Sequence, residues 1–201
     1  MSLFDQKQRL RKQAYMVRRN EPNKLQHSLQ AMERWLSLPV YVNASSALWY
    51  VDCRSELRTR QTLSSELQLP KLKTIVVPYC TVDHSGNPCL GLWKLHSIDE
   101  LVTGAWQIQE PPRERQQEAN RLVLPNQLDV VMVPGVAFSR QGDRLGSGQG
   151  YYDRLLRKLR PDCATVGVCY ESQLRDDLVH EPHDMRVQQI VTESQVYKVH
   201  P

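Results

Sequence analysis

The chain predicts an α/β fold, a three-layer α/β/α sandwich around a mainly parallel sheet. Helix-like and strand-like periodicities alternate along it. Its strand-like runs, KTIVVP (73–78), VVMV (130–133) and ATVGVCY (164–170), hold buried-type Val or Ile residues in close succession, as strands covered on both faces do. With 201 residues it is long enough for one domain, 1–201, that buries roughly 70% of its unfolded surface.

Residues 5–19 and 24–37 read as two helices, broken by Asn20-Glu21-Pro22-Asn23. Leu10, Ala14 and Val17 share a face of the first, and Leu25, Leu29, Met32 and Leu36 a face of the second. Two adjacent antiparallel helices on one face of the sheet are expected. Ala47–Asp52 reads as a strand, with Trp49 and Val51 opposite to Leu48 and Tyr50, and Glu56–Leu67 as the next helix. Glu56 then stands at a helix start just after a strand, where α/β sheets bind ligands; a carboxylate complementing the helix dipole is the ordinary alternative. Residues 73–78 and 89–96 read as strands around an Asp83–Asn87 turn, paired as an antiparallel appendage. Cys80, His84 and Cys89 lack zinc-knuckle spacing and a fourth ligand, so no metal is assigned to them. Ser97-x-x-Glu100 is a capping box, and 112–120 an exposed loop or frayed helix. After 164–170, Ile190–Thr192 is the last strand expected.

The net charge is +4, which suits an anionic ligand as well as nucleic acid. No apolar run is long enough to span a membrane, and the charged N-terminus has no signal-peptide core. Five cysteines without a CxxC read as reduced thiols in a cytoplasmic protein.

The densest chemistry lies in 129–159. A strand ends at Pro134-Gly135, a polar connection runs from Ser139 to Arg144 with Gly142 as its turn, and Gly146, Gly148 and Gly150 alternate before a helix. That helix places Tyr152, Leu155, Leu156 and Leu159 on one face. Alternate glycines let backbone N–H groups turn toward one point, and a helix start favours an anion, phosphate above all. The alternative is a flexible turn before an ordinary helix. Asp153 in the first turn either complements the dipole or holds a cation beside phosphates.

The string PGVAFSRQGDRLGSGQGYYDRLL resembles the signature of the 5-formyltetrahydrofolate cyclo-ligase family (5,10-methenyltetrahydrofolate synthetase). Pro134, Gly135, Phe138, Gly142, Arg144, Leu145, Gly146, Gly148, Gly150, Tyr151, Tyr152 and Asp153 agree with it. Ser139 replaces the usual Asp, and Ser147 and Gln149 stand where relatives carry Arg, Lys or Gly. The loop therefore has no positive charge between its glycines. Scattered pieces extend the resemblance from Lys7 to Thr192, and the family's fold is of the expected kind.

The resemblance implies a set of roles. Lys7 and Arg11, four apart on one helix face, contact nucleotide, with Arg144, Leu145, Gly146, Ser147, Gly148, Gln149, Gly150, Tyr151 and Tyr152. Val51, Glu56, Trp106 and the loop residues Ser147, Gly148, Gln149, Gly150 and Tyr151 contact the reduced folate; a carboxylate at Glu56 accepts two N–H bonds from a pterin. Asp153 and Asp184 hold Mg²⁺. Gln188 replaces a commonly acidic residue. The implied reaction is ATP-dependent closure of 5-formyltetrahydrofolate to 5,10-methenyltetrahydrofolate, with ADP and phosphate released and no nucleophilic residue required. The substrates are small molecules, and a monomer without membrane or nucleic-acid partners is expected.

Two rivals fit less well. A kinase or Rossmann-type dehydrogenase would show G-x-x-x-x-G-K-[ST] or G-x-G-x-x-G, and neither occurs. A nucleic-acid-binding module would show an aromatic RNP-type strand and a larger basic bias.

Overall fold

The computed structural model describes residues 2–70, 73–104 and 107–199. Its strands include β1 (Ser46–Leu48), β2 (Thr74–Val82), β3 (Pro88–Lys94), β6 (Val130–Val133), β9 (Ala164–Val168), β10 (Gln189–Val191) and β11 (Val196–Lys198), with β4 (Val102–Thr103) and β5 (Gln109–Glu110) forming a separate ribbon. The first seven make the central sheet, in the order β11-β10-β9-β6-β1-β2-β3. The inner five pair in parallel, while β3 and β11 close the two edges antiparallel. A mainly parallel sheet is therefore correct. β3 belongs to this sheet rather than to an appendage, and β11 follows the strand at 189–191 that the sequence reading took as the last.

The period of two assigns the sheet's faces. Val130 and Met132 enter one core with Trp35, Trp49 and Leu63. Val131 and Val133 enter a second with Phe138, Leu155 and Leu156. Helices α2 (Lys24–Ser37) and α4 (Arg60–Gln68) supply the first core, and α5 (Tyr151–Leu156) the second. Each face of the sheet is thus apolar and covered, which is what drives the layers together.

Helix α1 (Leu3–Arg19) departs from expectation. It does not lie beside α2 on a sheet face. Leu10 and Ala14 pack instead on Val136, Ala137 and Leu145, the hairpin formed by β7 (Ala137–Phe138) and β8 (Arg144–Leu145). Its buried residues are Lys7, Leu10, Ala14 and Arg18, while Val17 is exposed. The buried stripe carries two cations, so hydrophobic periodicity misplaced it. In α2 the buried residues are Ser28, Ala31, Met32 and Trp35, leaving Leu25 and Leu29 exposed. The connection at 139–144 is the turn of the β7–β8 hairpin: Gly142 has φ +86°, and a Cβ there would stand 2.4 Å from the Val187 carbonyl oxygen.

Strand order reverses between β1 and β6: β2 follows β1 on one side, and β6, β9 and β10 build outward on the other. Such a switch leaves a crevice beyond the carboxyl ends of the two strands. Val51 and Pro134-Gly135 lie there, and both border a cavity. Among the described residues no helix is long and apolar enough to cross a membrane.

Candidate active site

Beyond β8 the chain forms the glycine loop 146–150. Gly148 has φ +101° and Gly150 φ +67°, both in the region that disfavours side chains. Three guanidinium groups frame the loop. Arg11 Nε donates to the Gly146 carbonyl at 2.9 Å, and Arg154 Nη2 to the Gln149 carbonyl at 2.7 Å. Arg144 Nη2 donates to Asp153 Oδ1 at 2.8 Å. The loop that carries no charge of its own is surrounded by positive charge from α1, β8 and α5. Helix α5 has only six residues, so these cations outweigh its dipole as a reason for an anion to bind.

One side of the loop opens on a polar cleft of about 500 Å³. Lys7, Arg11, Arg144, Ser147, Gln149, Asp153, Asp184, Glu181 and His183 line it. Lys7 Nζ lies 2.5 Å from Asp184 Oδ2 and 2.6 Å from Glu181 Oε2. Burial opposes the Lys7 charge, but those two carboxylates outweigh it and raise the ammonium pKa. Asp184 is burdened by burial too, yet the Lys7 hydrogen bond and the Glu181 N–H hold its pKa below the usual carboxylate range. Ligand atoms of Glu181, His183 and Asp184 fall within 4.8 Å of one another. Asp153 faces the same cleft but stands outside that trio, accepting from Arg144 and from the Met185 N–H at 3.2 Å. Carboxylate oxygens from three residues in one cleft are the donors that Mg²⁺ takes, so the donor chemistry fits such an ion.

The other side opens on a smaller pocket of about 170 Å³, lined by Tyr50, Val51, Glu56, Tyr79, Ile108 and Tyr151. Glu56 is not at a helix start, as the sequence suggested. Asp52 Oδ1 accepts from the N–H groups of Thr59 and Arg60 at 2.9 Å each, which starts α4 at Arg60. Glu56 therefore sits in the preceding turn, free of the helix dipole, with Oε2 accepting from the Cys53 N–H at 3.0 Å. Burial pushes its pKa up, and Arg18, 3.8 Å away, opposes that. Cys53 is pushed up to about 12, chiefly by burial, so it stays a neutral thiol. Trp106 lies outside the described residues.

The two spaces share a wall: Arg144, Gly146, Ser147, Tyr151 and Tyr152 line both. Arg144 Nε and the Tyr152 hydroxyl in this wall are buried without a hydrogen-bond partner among the described residues. An orphaned buried donor costs about 1–3 kcal/mol, and a ligand that accepts from it removes the cost.

Of the residues expected from the sequence, Lys7, Arg11, Arg144, the loop from Leu145 to Gly150, Tyr151, Tyr152, Asp153 and Asp184 meet at the polar cleft, and Val51 and Glu56 at the apolar pocket. Arg18, Arg154 and Glu181 went unrecognised. Arg18 was legible in principle, because 7, 11 and 18 repeat on one helix face. Gln188 sits at the sheet's opposite end, its side chain accepting from the Thr165 N–H at the start of β9. Ser139, in place of an acidic residue, donates to Asp143 Oδ2 within the hairpin turn.

The sequence model of the 5-formyltetrahydrofolate cyclo-ligase family matches residues 4–193. The 5-formyltetrahydrofolate cyclo-ligase of Escherichia coli K12 is 31% identical over 175 residues, spanning 84% of this chain and 89% of its own. That of Mycolicibacterium smegmatis is 28% identical over 191 residues, spanning 92% and 93%. The solution structure of Aquifex aeolicus 5,10-methenyltetrahydrofolate synthetase superposes with a TM-score of 0.78 at 30% identity, covering 97% of this chain and 93% of its own. Fold, motif and sequence therefore agree that this chain belongs to the 5-formyltetrahydrofolate cyclo-ligase family.

Proposed function

We propose that this chain closes 5-formyltetrahydrofolate to 5,10-methenyltetrahydrofolate at the expense of ATP, releasing ADP and phosphate. The observation that carries the proposal is the shared wall: a cation-lined cleft and an apolar pocket ending in a carboxylate meet at one glycine loop. A reaction that joins a polyphosphate to an uncharged formamide needs those two environments side by side.

The nucleotide occupies the polar cleft, its phosphates against Lys7, Arg11, Arg144 and the N–H groups of 146–150, with Leu145, Ser147, Gln149, Tyr151 and Tyr152 completing the wall. The folate occupies the apolar pocket between Val51 and Tyr151, with its pterin N–H groups donating to Glu56. The family resemblance assigns Trp106 to the folate as well. A formamide oxygen is a poor leaving group. Transfer of the γ-phosphoryl to it makes a good one; N10 attacks the activated carbon and gives its proton to solvent or to the departing group, and the oxygen leaves as inorganic phosphate. Positioning and charge neutralisation supply most of such catalysis. Arg144 stands in the wall where phosphoryl and formyl oxygen meet, so its charge stabilises the transfer on either side. Arg18 opposes the burial that raises the Glu56 pKa and so favours its carboxylate form. Mg²⁺, held by Asp153 and Asp184, supplies neutralisation of the phosphate charge when bound.

Both clefts belong to one chain, so a monomer suffices, and five free thiols suit a reducing compartment such as the cytoplasm. The test is purified protein with MgATP and 5-formyltetrahydrofolate, monitored for the near-ultraviolet absorbance of the methenyl product. Nucleotide-dependent product is expected, and none under any nucleotide condition contradicts the proposal.

A further inference from the structure

We infer that Phe4 is the platform on which the nucleotide's base stacks, a subsite built by the first turn of α1. The inference rests on the nucleotide occupying the polar cleft. Phe4 lines that cleft and is 67% exposed. A large flat ring at the mouth of a polar site offers a stacking face, and in a nucleotide cleft the group that matches it is the base.

The order of side chains along α1 gives the inference its direction. Phe4, Lys7 and Arg11 line the polar cleft, while Tyr15 and Arg18 line the folate pocket. All five lie on one face at i, i+3, i+7, i+11 and i+14, a stripe about 21 Å long at 1.5 Å per residue. Read from the C-terminal end, it passes the pocket with the Glu56 carboxylate, then Arg11 against the glycine loop, then Lys7, then Phe4. The two substrates joined at the transferring phosphoryl have the same order: pterin, formyl group, phosphates, base. Phe4 comes where the phosphates have ended and a flat ring is due.

The helix start holds Phe4 in place. Ser2 Oγ accepts from the Asp5 N–H at 3.1 Å, and Asp5 Oδ2 accepts from the Ser2 N–H at 3.2 Å, a reciprocal cap around the residue. Gln8, one turn on, also lines the cleft. Its amide offers both a donor and an acceptor to a base edge. Stacking is tolerant of base identity, because every base has a π-face, so Phe4 supplies affinity and Gln8 supplies what discrimination there is.

The experiment is to measure the dissociation constants of ADP and of inorganic tripolyphosphate for the wild-type protein, Phe4→Ala and Phe4→Trp. Stacking predicts that Phe4→Ala weakens ADP about tenfold, leaves tripolyphosphate unchanged, and that Phe4→Trp restores ADP. Equal weakening of both ligands, or no change in either, overturns the platform. Wild-type protein that binds neither ligand instead overturns the nucleotide reading beneath it. Phe4 is largely in water, so both variants are expected to fold, and an unchanged melting temperature confirms that the effect is local.

Discussion

Lys7 and Arg18 leave the same side of α1, both nearly buried and both facing carboxylates, yet they are held in opposite ways. Lys7 Nζ is bound at 2.5 and 2.6 Å to Asp184 and Glu181, two groups that line the same cleft. Arg18 is anchored to the scaffold, through the Gly135 carbonyl and Ser55 Oγ at 3.1 Å each, and acts on Glu56 only across 3.8 Å. If the cleft takes a nucleotide as proposed, an ammonium held by carboxylate side chains can turn toward an incoming phosphate. A guanidinium tied to a backbone carbonyl and a serine hydroxyl has less freedom to turn, and serves as a fixed field on one acid. On the proposed function the difference separates a charge that meets ligand from one that positions an acid.

The largest effect is expected where the fixed field acts. Glu56→Gln replaces an acceptor pair by an amide that presents a donor to the pterin's own N–H groups. Loss of a charge-assisted bond costs about 1.5–3 kcal/mol, so kcat/KM for the folate is expected to fall roughly 10- to 100-fold while ATP binding holds. The pH dependence has a definite sign. On the proposed function the carboxylate is the binding form, and burial raises its pKa above the usual 4.5. Folate kcat/KM is therefore lost as pH falls through a value above 4.5. For stability the sign reverses: a raised acid contributes stability below 4.5 that is lost as pH rises through its folded value. Glu56→Gln is thus expected to be the more stable protein at pH 7, in urea titrations, although less active. A variant equally active at every pH would remove Glu56 from the site.

Lys7→Ala addresses the mobile charge. ATP binding is expected to weaken by about 1.5–3 kcal/mol, with folate binding in the absence of nucleotide unchanged. Its stability linkage runs on two sides. The depressed Asp184 contributes stability present above 3.8 and lost as pH falls through its folded value. The raised Lys7 contributes stability present below 10.5 and lost as pH rises through its own. The stability gap between wild type and Lys7→Ala should therefore be flat from about pH 5 to 9 and shrink outside that window. An unchanged ATP Michaelis constant would return Lys7 to a structural role.

The smallest effect is expected at the loop's neutral positions. Ser147→Arg adds a cation to an exposed place already framed by Arg11, Arg144 and Arg154. Screening limits its gain in ATP affinity to about 1 kcal/mol or less, and the gain should shrink as salt is raised. A gain that does not respond to salt would mean a contact other than phosphate.

The contrast between the two cations also explains what the sequence could and could not convey. The sheet was legible because Val130–Val133 is apolar throughout and Val166–Val168 continues such a run, and the loop because its glycines and Tyr151-Tyr152-Asp153 form a long specific string. The placement of α1 was not. Its buried stripe includes Lys7 and Arg18, and a periodicity that counts only apolar residues turns such a helix the wrong way. Glu56 was found, but its setting was not, since the Asp52 carboxylate that begins α4 reaches across seven residues to Thr59. Glu181 gave no signal, because its meaning comes from Lys7 on a helix far away in the chain.

The shared wall makes one claim that isotopes test directly: the formyl oxygen is the atom that receives the phosphoryl group. With 5-formyltetrahydrofolate labelled with ¹⁸O in the formyl group, a single turnover with MgATP is followed by mass analysis of the released phosphate. The label is expected in inorganic phosphate, one atom per turnover. Methenyl product accompanied by unlabelled phosphate would contradict transfer at that wall.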